Sequence, residues 1–162
     1  MTVDDLTEYG AVEMDDDAIE AFLSSQRVGI LALPTDGAPT MRPLSFAYDE
    51  EDSLYVLYVG DSDSRKRDLS DRAESARFLV YSAETAFNWR SVLLTGRIDA
   101  VPDEDVAALE DQVSIPWQPD LLAAVGDAEG TTLYRFVIED QQGLRHSGLP
   151  EGFGMPTEDR GE

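Results

Sequence analysis

Apolar residues in this chain fall into short, strand-sized runs separated by turn residues, the pattern of an antiparallel β protein. Val28-Gly29-Ile30-Leu31-Ala32-Leu33 is a mostly buried strand, ended by the hairpin-like turn Pro34-Thr35-Asp36-Gly37. The returning strand runs from Pro39 to Tyr48, with Met41, Pro43, Ser45 and Ala47 on one face and Arg42, Leu44, Phe46 and Tyr48 on the other. Asp49-Glu50-Glu51-Asp52 turns the chain into a third strand, Leu54–Val59. Ala76–Tyr81, Trp89–Val101 and Leu133–Ile138 supply three more, and Gly96 inside the fifth marks a bend or bulge.

Helical period is confined to a few short pieces. Asp15 to Leu23 reads as a helix, with acidic residues at its start and Ile19, Phe22 and Leu23 on one apolar face. Ser64 can cap a second helix reaching about Ser70, and Pro102-Asp103-Glu104-Asp105 opens a third towards Gln112. A further short helix is expected around Leu121–Val125. Residues 1–13 read as an acidic arm without a clear period. The prediction is a mainly β (α+β) domain over residues 1–146: a six-stranded antiparallel split β-barrel with short flanking helices. Residues 147–162, rich in Gly, Pro and acidic groups, read as a flexible tail.

Charge changes this picture more than composition does. The 162 residues carry 34 acidic and 12 basic groups, a formal net charge of −22, which argues against a nucleic-acid partner. Lysine is nearly absent and aspartate outnumbers glutamate, so the surface looks like that of a protein from an extreme halophile. No cysteine is present and His146 is the one histidine, which rules out disulfides, thiol catalysis and a multi-histidine metal centre. His146 itself, among polar residues, is expected to be exposed. No run approaches the ~20 apolar residues of a membrane span, and the acidic N-terminus has no signal-peptide core. A soluble cytoplasmic protein is expected.

Against this acidity, Ser64-Arg65-Lys66-Arg67 stands out, because it holds the only lysine, with Arg72 close behind. Two readings stay open from spacing alone. Asp63–Arg67, Arg67–Asp71 and Asp68–Arg72 are i, i+4 pairs of a solvated helix, each worth about 0.2–0.5 kcal/mol. Alternatively, a helix start with Arg65 and Lys66 grips a phosphate. In molar salt the Debye length is roughly 3 Å, so distant carboxylates would scarcely oppose such a site.

In this order and spacing, four segments resemble the pyridoxamine 5′-phosphate oxidase-like split-barrel flavoproteins, from about Asp15 to Arg145. They are Arg27–Ala32 with Gly37-x-Pro39; Arg42-Pro43-Leu44-Ser45-Phe46-x-Tyr48-Asp49; Leu54–Tyr58 followed by Ser64-Arg65-Lys66; and Trp89-Arg90-Ser91-Val92-x-x-x-Gly96-Arg97. The resemblance implies a homodimer with FMN at the subunit interface. It places Arg42, Pro43, Leu44 and Ser45, with Tyr58 and Val59, along the flavin, and gives the FMN phosphate to Ser64, Arg65 and Lys66. It puts Ser91, flanked by Trp89 and Arg90, at a polar flavin contact. Catalytic residues are not specified, since the flavin itself supplies the chemistry.

Two departures argue against vitamin B6 oxidation. Phe46 stands where family members that oxidise pyridoxamine phosphate carry a substrate-gripping lysine. The segment Gly143-Leu144-Arg145-His146-Ser147-Gly148 also lacks the arginine-rich close of those enzymes. The expectation is an FMN-binding oxidoreductase acting on another small molecule. The alternatives are the same barrel with deazaflavin or haem, a non-catalytic flavin-binding module, or a cofactor-free acidic adaptor.

Overall fold

The computed structural model describes residues 10–59, 69–70, 73–102, 104–106 and 131–148. Seven strands and one helix are defined there: β1 (Ala11–Met14), α1 (Asp16–Ser25), β2 (Val28–Leu33), β3 (Thr40–Tyr48), β4 (Ser53–Val59), β5 (Ala76–Thr85), β6 (Asn88–Ala100) and β7 (Thr131–Ser147). The sheet order is β1-β7-β4-β3-β2-β5-β6, and β6 pairs back to β7. Six antiparallel strands therefore close into a barrel, as the strand pattern predicted, and a seventh, β1, lies outside it.

Closure depends on the length of β7. One of its edges runs along β6 from Tyr134 to Ser147. The other pairs β4 over Thr131–Val137 and then β1 over Gly143–His146. The sequence reading stopped this strand at Ile138, because Glu139-Asp140-Gln141-Gln142 carries no apolar alternation. The β6 ladder along one edge holds it extended regardless. The same pairing corrects the N-terminal reading: Ala11–Met14 is a strand, not part of an arm.

Alternation decides the interior. Phe46, Phe78 and Phe136 have no exposed surface. The Phe46 and Phe78 rings meet edge to face with centroids 5.4 Å apart, and Phe78 and Phe136 lie 6.0 Å apart. Burying each such ring is worth roughly 1.5–3 kcal/mol. Leu44 and Tyr48 pack against this core beside Phe46, as the predicted facing of β3 requires. A smaller cluster of Ala47, Tyr55, Leu133 and Val106 covers the opposite face of β3, β4 and β7.

Helix α1 packs Ile19, Phe22 and Leu23 into the main core. The Asp15 carboxylate caps it by accepting from the Ala18 N–H at 2.8 Å. Two glycines are set by close approach rather than by a turn. A Cβ on Gly29 would overlap the Phe78 ring, and one on Gly96 would overlap the Val137 carbonyl oxygen. The β6–β7 register shifts between Thr95 and Gly96, so the predicted bulge is present.

Candidate functional site

Pairing between β3 and β4 is incomplete, and the candidate site starts there. The two strands pair over Phe46–Tyr48 and Leu54–Val56, although β3 begins at Thr40 and β4 continues to Val59. Beyond Phe46 they part, so Arg42-Pro43-Leu44-Ser45 and Tyr58-Val59 border a gap in the barrel wall. Pro43 fits such an edge because it has no N–H to give a ladder. Among these residues Arg42, Pro43 and Ser45 are exposed and Leu44 is half-buried. Phe46 lies at the gap's closed end with its side chain wholly in the core, so it cannot replace a ligand-contacting lysine.

An apolar exterior adjoins the gap. Register places Pro43 opposite Ile30, Ile30 opposite Leu79, and Leu79 opposite Leu93. This makes an apolar row across the outside of β3, β2, β5 and β6. Met41, Val28 and Tyr81 extend it, at 51%, 53% and 55% exposure. A groove of about 780 Å³ runs along this face, lined by Ile30, Met41, Leu79 and Leu93 and walled by Leu69 and Ala73. That volume is in the range of small-molecule sites. Leu69 and Ser70 are helical, in the segment that follows the basic stretch. Ser64, Arg65 and Lys66 themselves lie outside the described residues, as do the helices expected around Ser64 and Leu121 and most of the one opened by Pro102.

The fourth segment separates into two faces. Val92 and Leu94 point into the core, so Ser91 and Trp89 point outward and Arg90 points inward, its guanidinium carbon 4.9 Å from the Phe22 ring centroid. Arg90 and Ser91 therefore do not share a site. Ser91 and the gap also stand apart within one chain. Three strand spacings separate β3 from β6, roughly 14 Å at ~4.8 Å each.

Two features escaped the sequence reading. His146, expected in solvent, is 7% exposed. Its ring stacks on Trp89 at 5.8 Å, and its Nδ1 lies 2.7 Å from the Phe87 carbonyl oxygen. It is buried because β7 runs on between β1 and β6, a placement that no local pattern encodes. The apolar outer row was also missed. Its trace in the sequence is the uninterrupted apolar run of β2, which alternation would have broken if one face were bathed in water.

Among the described residues, no cluster of His, Cys, Asp or Glu suits a metal ion. No described helix is long and apolar enough to cross a membrane.

Comparison with known proteins agrees with the barrel fold. No curated protein sequence matches. Among solved structures, an FAD-binding protein from Mesorhizobium loti superposes with a TM-score of 0.68 at 22% identity, over 85% of this chain and 99% of that one. The FAD and haem binding protein from Mycobacterium smegmatis gives 0.64 at 18%, over 87% and 75%. A flavocytochrome from Azotobacter vinelandii gives 0.62 at 21%, over 86% and 71%. These likenesses establish the fold. A family profile described as pyridoxamine 5′-phosphate oxidase matches residues 15–145, most of the chain and every strand of the closed barrel, and the chain belongs to that family.

Proposed function

We propose that this protein is a flavin-binding oxidoreductase, with FMN lying in the gap between β3 and β4. The gap carries the proposal: two strand edges part, an apolar groove adjoins them, and the chain's only lysine follows β4 by seven residues. Arg42 to Ser45 and Tyr58-Val59 border the ring system, and Ser64, Arg65 and Lys66 hold the phosphate. The flavin supplies electron or hydride transfer; the chain binds it, orients it and keeps water from it. With Phe46 sealed in the core, the substrate is not expected to be pyridoxamine phosphate.

The working unit in this reading is a homodimer. Apolar side chains left in water across β3, β2, β5 and β6 are the surface a second copy would cover. Ser91, remote from the gap of its own chain, would reach the flavin of the partner. The acidity is read as adaptation to molar salt.

Visible absorption of the purified protein in high salt is the first test. A colourless preparation that also fails to take up FMN would overturn the proposal. FAD deserves the same titration, because the first two solved neighbours above are named for binding it. Lys66→Ala is expected to weaken FMN by about 1.5–3 kcal/mol, the worth of a charge-assisted hydrogen bond, and to leave riboflavin almost unchanged. Equal losses for both ligands would place Lys66 away from the phosphate. Reduction of the bound flavin by NADH or NADPH then separates an oxidoreductase from a passive carrier.

A further inference from the structure

On the inner face of the β6–β7 ladder, Arg90 stands directly opposite Arg145. Both are exposed. Directly opposed like charges destabilise a strand pair. Among the described residues the ion pairs are Arg97–Glu139 and Arg135–Asp52, and neither Arg90 nor Arg145 takes part. In a chain of 34 acidic groups, two facing arginines without a carboxylate between them are an anomaly.

Their surroundings fix Arg90 in place. Phe22, at the C-terminal half of α1, holds the Arg90 guanidinium against its ring at 4.9 Å, which limits the side chain to one region of space. On its other side Arg90 faces Ser82 of β5. Ser82 lines a second groove, of about 530 Å³, with Ser25, Gln26, Arg27, Val28 and Tyr81. Arg27 is engaged within it, its Nη1 donating to the Ser24 and Gln26 carbonyls at 2.9 and 3.0 Å. Arg27 is thus engaged within the chain, whereas Arg90 and Arg145, which do not line this groove, have no ion pair among the described residues.

We propose that Arg90 and Arg145 form an oxyanion subsite, which takes the phosphate or carboxylate group of a small molecule at the α1-capped end of the barrel. Two guanidinium forks on neighbouring strands can each donate to one oxyanion, and a bound dianion turns their mutual repulsion into two charge-assisted contacts. Ser82 offers a hydroxyl beside them. The site lies on the opposite sheet face from Ser91 and does not depend on where the flavin binds.

Calorimetric titration of the full chain with inorganic phosphate tests this, using the Lys66→Ala background to weaken the other candidate phosphate site. The expected result is one phosphate per chain, bound at least tenfold more weakly after Arg145→Gln and partly recovered with Arg145→Lys. Without phosphate, Arg145→Gln is expected to unfold at the same or a higher urea concentration, because a repulsion has been removed. Phosphate binding that is absent, or that survives Arg145→Gln, overturns the proposal. So does a loss of stability in phosphate-free buffer, which would mean that Arg145 already serves a carboxylate of the chain. Phenyl phosphate separates the sources of the anion. Tighter binding than inorganic phosphate, lost in Arg145→Gln, supports the site with an organic ligand; equal binding supports it with the free ion.

Discussion

Tyr48 shows how a single side chain registers both the barrel and the acidic surface. It is half-buried against the main core, and its hydroxyl donates to the Glu51 carbonyl at 3.3 Å. Burial, and then the negative charges of Glu20, Asp49, Glu50 and Asp52, push its phenol up to about 12. The unfolded phenol ionises near ~10, so between these values the folded state holds a proton that the unfolded state has released. Stability from this group is therefore complete below about pH 10 and is lost as pH rises towards 12. The urea midpoint of the wild type should fall more steeply over that interval than that of Tyr48→Phe. Parallel slopes would show that Tyr48 is not the group responsible. The inward facing of Tyr48 was legible from alternation along β3, and Asp49, Glu50 and Asp52 follow it directly in the chain; only Glu20, on α1, is brought to it by the fold.

At the scale of elements, β6 was readable almost to its ends, including the irregularity at Gly96. The bulge brings the Val137 carbonyl so close to the Gly96 Cα that a methyl group has no space, and the obstruction is backbone. Gly96→Ala is expected to cost about 1–3 kcal/mol, as overpacking does. Urea unfolding measures it, and an unchanged midpoint would mean that the strand relaxes freely there. Helix α1 was equally legible, because its acidic start and its apolar stripe are local, although Asp15 proves to be its cap and not its first residue. β7 was not. Its polar half is held by ladders to β6 and β1, whose partners lie some 55 and 130 positions earlier in the sequence. His146 was misread for the same reason.

For the whole molecule, the outer row of Pro43, Ile30, Leu79 and Leu93 is apolar on a chain of formal charge −22. If it is the dimer face, Met41→Glu should give monomers by analytical ultracentrifugation in high salt without unfolding the barrel, since Met41 is 51% exposed in the single chain. The wild type should dissociate as salt is lowered and repulsion between the two acidic surfaces is unscreened. A wild type that stays monomeric at micromolar concentration in molar salt would sink the dimer, and with it the role given to Ser91.

The sequence by itself determined what depends on near neighbours: the spans of β2, β3 and β6, the two faces of β3, the acidic start and apolar stripe of α1, the bulge glycine and the sign of the surface. It also carried the segments by which the family could be identified. The tertiary structure decided what depends on pairing between distant strands. Only closure of the barrel shows β3 and β4 parting beyond Phe46, which sets Arg42 to Ser45 and Tyr58-Val59 on the two sides of one gap. Only the β6–β7 register sets Arg90 against Arg145. A period of two assigns each residue to a face, but ladders formed between distant segments decide what that face meets.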